Sequence, residues 1–286
     1  MSSVASIHPR EIRALLKSNT IAPNECMRLM LRWNGWHVPA ELLHSALAGP
    51  DRAEAAEYEI FSDADGARTA GYTIGSGSGT YLNVDGLRLF ESAGTHDRLI
   101  VDPGDEPFDY AGEALIEMRR LAGAVRLENT LNHFAAEMSK TNRMASEESV
   151  ESVDEISASR GHDKEHDLAA RIARYASFFI ILEKVDGQLY LSFANDQNGT
   201  PLAAICTAAD AAHAYQQHLL ARVAVHDASD APPALSIVTI AGYELFTRLL
   251  SMPDCAGAVI NPAGPVPPLY IPRRYFARIA EAVEKD

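Results

Sequence analysis

Two neighbouring segments decide how this chain is read: Ala241-Gly-Tyr-Glu-Leu-Phe-Thr-Arg-Leu-Leu250 and Ala258-Val-Ile-Asn-Pro-Ala-Gly-Pro265. Together they spell a short helix, a buried strand and a sharp Asn-Pro turn. A fainter version lies upstream, in Asp85-Gly-Leu-Arg-Leu-Phe-Glu91 and Leu99-Ile-Val-Asp-Pro-Gly-Asp105.

Working outward, more fragments pair between the halves. Gly86-Leu-Arg-Leu-Phe90 parallels Gly242-Tyr-Glu-Leu-Phe246, and Ile100-Val-Asp-Pro-Gly104 parallels Val259-Ile-Asn-Pro-Ala263. Phe61-Ser-Asp-Ala-Asp-Gly66 is matched with Phe193-Ala-Asn-Asp-Gln-Asn-Gly199. On that match the first copy is the shorter one and lacks a counterpart of the helix expected after Thr207. The order of elements supports an internal duplication.

The flanking sequence is read by periodicity and turn chemistry. Helices are expected at residues 9–17, from Pro23 to about residue 32, and at 39–48, with Asn34-Gly35 breaking the chain between the last two. Short β-prone runs alternate with turns over residues 58–84, and Asp65-Gly66 is taken as one of those turns. A helix follows at about residue 112, and the helical pattern returns over 127–144. In the second half, Asp186-Gly187 joins strands 177–185 and 188–194 in a two-residue hairpin. Residues 201–206 form a further strand, a capped helix opens at Thr207, and residues 235–240 form another strand. The last helix starts at Pro272.

Residues 146–167 are acidic, serine-rich and poor in large apolar side chains, which marks a linker. The expected division is a helical N-terminus with a divergent α/β domain (1–145), the acidic linker (146–167) and a second domain (168–286). The fold class is α+β, with two related mixed-sheet domains and flanking helices.

Residues 170–283 resemble the SseB family, named for enhanced serine sensitivity in bacteria. The resemblance is carried by the strand pair leading to Phe193-Ala-Asn-Asp196, by the strand at 201–206 with its following helix, by Gly242-Tyr-Glu-Leu-Phe246, and by Ala258-Val-Ile-Asn-Pro-Ala-Gly264 with the closing helix. The family's Phe-Thr-Ser before the helix is replaced by Ile205-Cys206-Thr207. The resemblance implies a compact α+β domain and supplies no catalytic residues.

Bulk composition narrows the function. The 286 residues carry a net charge of −14, with 47% hydrophobic residues. Such a surface repels phosphate backbones and anionic lipid, so neither nucleic acid nor membrane is an expected partner. Residues 41–48, the reading helix of a would-be helix-turn-helix, have no Arg or Lys for base edges. The longest apolar run, at 178–182, is far too short to span a bilayer. No secretory signal is visible at the N-terminus, and three isolated cysteines suit a reducing compartment, so a cytoplasmic location is expected.

Chemistry is sparse. His162 and His166 share a helix face and are weak metal candidates, since Asp163 rather than Glu follows the first histidine and both lie beside the linker. The glycine-serine run 75–79 lacks a P-loop ending. Cys206 precedes a helix start but has no acid or base placed near it by sequence. No cofactor is expected, nor an enzyme. The turn Asn261-Pro262-Ala263-Gly264 and its stiff continuation to Leu269 and Tyr270 form the candidate partner-binding surface, with protein as the expected partner. The alternatives are a small-metabolite sensor, with a pocket between the domains or beside the Asp-Pro and Asn-Pro turns, and a metal-dependent hydrolase.

Overall fold

The computed structural model describes residues 7–45, 55–75, 80–104, 107–147, 166–196, 198–226, 234–264 and 266–282. The chain divides into two compact units, Met1–Arg126 and Leu127–Asp286. Both are α+β with mixed sheets. The division falls inside one helix, whereas residues 148–165 of the expected linker lie outside the described residues.

The first unit opens with helices α1 (Pro9–Lys17) and α2 (Pro23–Arg32), each with proline at its first position, where the missing N–H has no partner to lose. Then come β1 (Trp36–Pro39), α3 (Ala40–Ser45), β2 (Glu57–Ile60), α4 (Ala64–Thr69), β3 (Tyr81–Val84), α5 (Gly86–Ser92), β4 (Arg98–Val101), β5 (Phe108–Ala111) and α6 (Gly112–Glu147). β1 pairs antiparallel with β3, and β2 lies parallel to β4, which is antiparallel to β5. Reciprocal backbone hydrogen bonds of 2.8 and 2.9 Å between His37 and Phe61 tie β1 to β2. The strand order is therefore β3-β1-β2-β4-β5.

The second unit takes the C-terminal part of α6, then α7 (residues 166–173), β6 (Phe178–Val185), β7 (Gln188–Leu191), β8 (Phe193–Asn195), β9 (Pro201–Cys206) and α8 (Ala209–His226). It continues through β10 (Ala234–Ile240), α9 (Gly242–Leu250), β11 (Gly257–Ile260), β12 (Leu269–Pro272), a 3₁₀ turn (Arg273–Tyr275) and α10 (Phe276–Glu281). Its main path is β10-β6-β9-β11-β12, with β7 and β8 added against β6 and β9. The steps along this path are antiparallel, antiparallel, parallel and antiparallel, as in the first unit.

The correspondence extends to single contacts. The N–H of Gly86 donates to Trp33 O at 2.7 Å, and that of Gly242 to Tyr175 O at 2.8 Å. A Cβ at Gly86 would collide with the carbonyls of Met30 and Leu31, and one at Gly242 with those of Ile172 and Ala173. Four residues on, Phe90 meets Trp36 edge-on at 6.3 Å, and Phe246 meets Phe178 edge-on at 6.0 Å. Trp33 Nε1 donates to Ser62 O, and Tyr175 Oη donates to Thr207 O.

These registers correct two expectations. Phe61 takes the place in its unit that Cys206, not Phe193, takes in the other: His37 bridges Phe61 as Phe179 pairs with Cys206. The first unit does have a helix at the position of α8. It is the six-residue α4, and Asp65-Gly66 lies inside it because Asp63 caps it by accepting the N–H of Gly66 at 2.6 Å. Further differences are local. Pro39, the expected first residue of a helix, instead ends a strand over residues 36–39, and β5 and β12 are additional edge strands.

The core of the second unit gathers Phe178, Ile205, Phe246, Ile260, Phe276 and Ile279 between the sheet and α7, α9 and α10. Leu127, Leu131, Phe134 and Met138 from α6 belong to the same cluster. On the other side of the sheet, Ala211, Ala212 and Tyr215 of α8 cover Ile181, Ala204 and Cys206. Among the described residues no helix is long and apolar enough to cross a membrane.

Candidate functional site

In each unit the parallel strand pair ends in a polar turn. Asp102, just past β4, has φ +46°, and its N–H donates to Ile60 O at 2.9 Å. Its carboxylate then grips the end of β2. Oδ1 accepts the Ser62 N–H at 2.8 Å, and Oδ2 accepts the Ser62 hydroxyl at 2.7 Å. Asn261, just past β11, has φ +53° and donates its N–H to Ile205 O at 2.7 Å. Its Oδ1 accepts the Thr207 N–H at 2.9 Å.

The third partner differs in sign. In the first unit, Arg10 Nε lies 3.7 Å from Asp102 Oδ2. In the second, Glu128 Oε1 accepts the Thr207 hydroxyl at 2.7 Å and Asn261 Nδ2 at 3.2 Å. The hydroxyl of Thr207, having given its one proton to Glu128, accepts from Asn261 Nδ2 at 3.0 Å. Thr207, Asn261 and Glu128 are all buried. Such a network rigidifies the turn.

Around Asp102 the first unit opens into a cleft of about 820 Å³. One wall is the face of α1 bearing Arg10, Arg13 and Lys17, and the other carries Asp63, Asp65 and Asp102. Arg10 also pairs with Asp63 at 3.3 Å, and the Arg13 guanidinium stacks on Phe108 at 4.2 Å. Asp65 pairs with Arg68 at 3.1 Å. At the matching turn of the second unit, a Cβ on Gly264 would sit 3.6 Å from Ala211 Cα on α8.

The sequence-based candidates differ in exposure. Asn261 is withdrawn from solvent, so it orders the turn and cannot touch a partner. Pro262 is half-buried, and Gly264 is exposed with φ +125°. Leu269 pairs with Ile260 in β12 and packs partly against the core, while Tyr270 stays 49% exposed. Tyr270 borders a small recess of about 160 Å³ with Phe134, Met138, Arg274 and Tyr275. His162 lies outside the described residues, and His166 is exposed at the start of α7. Among the described residues no three His, Cys, Asp or Glu side chains converge for a metal.

Burial pushes the Cys206 thiol up to about 12, aided by Asp210, and raises that of Cys26 as well. Cys255 is buried too, with Sγ 3.2 Å from Gly257 O. Neither Cys206 nor Cys26 has the depressed pKa of a nucleophile.

Several large apolar side chains of the second unit face solvent: Val185, Leu189, Tyr190 and Phe193 on the β6–β7 hairpin and β8, and Val238 on β10. Among the described residues β10 pairs with β6 alone, so its other side is a sheet edge.

Arg10, Arg13, Lys17, Ser62 and Glu128 were not singled out from sequence. The spacing of the three cations along α1 was a readable sign of one basic helix face in an acidic chain. Glu128, within Val125-Arg-Leu-Glu-Asn-Thr-Leu131, gave no sign of the partners it meets 79 and 133 positions away. No family model, curated protein or solved structure matches this chain.

Proposed function

We propose that the chain is a non-catalytic binding protein of the SseB type, built from two copies of one α+β unit and acting through contacts with other proteins. The duplication is supported by the shared strand order, by the matching glycine contacts at Gly86 and Gly242, and by the paired Asp102–Ser62 and Asn261–Thr207 turns. The SseB relation rests on the residue pattern of 170–283.

The observation that carries the interaction reading is the β10 edge. It is seven residues long, Ala-Leu-Ser-Ile-Val-Thr-Ile, with no charge and no proline. Natural sheet edges of that length are usually blunted by lysine, proline or a bulge. Pro232-Pro233 precede β10 as Pro268 precedes the opposite edge strand, β12, but β12 also ends on a proline, Pro272, whereas β10 holds none. An unblunted edge beside exposed Val238 suits an extended segment of another protein adding as a strand. The net charge of −14 favours a segment carrying lysine or arginine.

The test is a pull-down of the tagged full-length protein from its own host, followed by titration of the purified partner against variants. Val238→Lys places a charge on the edge at an already exposed position and is expected to weaken binding by roughly tenfold or more. Tyr270→Ala serves as the comparison. Loss with Tyr270→Ala alone would move the contact to the Asn-Pro side, and the absence of any titratable partner would sink the reading.

A second reading, small-ligand sensing, is favoured by the cleft beside the Asp102 turn.

A further inference from the structure

We infer that the cleft of the first unit binds a small organic oxyanion, a carboxylate or phosphate ester, through Arg10, Arg13 and Lys17. This rests on the small-ligand reading and names the ligand class. The size fits: about 820 Å³ lies within the span of roughly 300–1,000 Å³ usual for small-molecule sites.

The chemistry follows from what each wall is doing. Asp102 accepts two hydrogen bonds from Ser62, Asp63 accepts the capping N–H of α4, and Asp65 pairs with Arg68. The acidic wall therefore holds backbone and a neighbouring helix in place. Positions 10, 13 and 17 stand on one face of a capped helix, so three cations line the same opening. Two of them are oriented in advance, Arg10 by ion pairs to Asp63 and Asp102 and Arg13 by stacking on Phe108. A preset guanidinium loses little freedom on meeting an oxyanion and offers it a planar fork of donors. In a chain with 25 basic and 39 acidic residues, a cleft whose cations Arg10, Arg13 and Lys17 match its carboxylates Asp63, Asp65 and Asp102 is less negative than the surface as a whole.

The experiment is isothermal titration of the full-length protein at low ionic strength with five probes: succinate, glycerol 3-phosphate, inorganic phosphate, glycine and ethylamine. The oxyanions are expected to bind and to weaken as salt is added. The Arg13→Gln/Lys17→Gln variant, its fold checked by near-UV circular dichroism, is expected to lose at least about tenfold in affinity. Arg13→Lys/Lys17→Arg, which keeps both charges, is expected to retain most of it. Phosphate binding without succinate or glycerol 3-phosphate binding would mean a site for the inorganic ion only and overturn the organic assignment. Binding confined to ethylamine or glycine, or oxyanion binding unchanged in the Gln variant, would overturn the anion assignment while leaving a small-ligand site standing. No heat with any probe would remove both.

Discussion

Asn261 holds the backbone N–H of Thr207, fifty-four positions earlier, at 2.9 Å, and does so as an amide beside a buried carboxylate. The choice of amide over acid matters because Glu128 already supplies the negative charge. Asn261→Asp would set two carboxylates together out of water. The expected cost is roughly 2–4 kcal/mol in a urea melt, largely recovered when Glu128→Gln is added. The converse change, Asp102→Asn, keeps the acceptor for the Ser62 N–H and is expected to cost only about 1 kcal/mol.

Glycine substitutions should divide by sign. Gly86→Ala and Gly242→Ala each drive a methyl group into the carbonyls of the preceding helix and are expected to lose about 2 kcal/mol or more. Gly123 lies within α6 with nothing within 4 Å of an added Cβ. Gly123→Ala is expected to gain roughly 0.5–1 kcal/mol. Thermal melts of the three variants check the pattern, and a uniform loss would refute it.

The β6–β7 turn offers a backbone test. Asp186 and Gly187 both have positive φ, +51° and +82°, as a two-residue hairpin of this hand requires. Gly187→Ala should cost about 1 kcal/mol, whereas Asp186→Asn should be neutral or slightly stabilising. Denaturant midpoints of the two variants decide it.

Alkali should loosen the second unit through Cys206. Its thiol titrates near 9 when unfolded and near 12 in the fold, because burial penalises the thiolate. The raised value favours the protonated folded state, so its contribution is complete below pH 9 and is lost as pH rises from there to 12. Replacing Cys206 with Ala or Val should flatten the fall in stability over that interval, as measured by urea midpoints at pH 8 and pH 10.5. A slope identical to the parent's would show that other groups govern it.

Much of the fold could be read from local chemistry. The Asp186-Gly187 hairpin and the strand-turns at Asp102 and Asn261 declare themselves by residues whose backbone preferences are strong. The misread elements are ones whose signals compete. Trp36–Pro39 and Phe108–Ala111 are four residues long, too short for a period to develop. Leu269–Pro272 follows a proline run that looks like a rigid loop. Asp65-Gly66 has the composition of a turn, yet Asp63 caps a helix across it. The division at Arg126 leaves no mark because α6 crosses it without a helix breaker. Phe61 was aligned with Phe193 by shared identity, whereas strand pairing aligns it with Cys206. As for the candidate site, Asp102 was visible as a turn residue, but its grip on Ser62 is a contact between segments forty positions apart.

Two halves with the same strand registers run a risk while the chain is still collapsing, since a strand of one can dock beside the wrong neighbour. The opposite charges of Arg10 and Glu128 penalise that exchange. If β4 were to settle against β9, Asp102 would meet Thr207 and face Glu128, acid against acid. If β11 were to settle against β2, Asn261 would replace Asp102 and leave Arg10 with Asp63 as its acid. The polarity reversal at these turns is therefore expected to disfavour crossed assembly, chiefly through the meeting of Asp102 with Glu128.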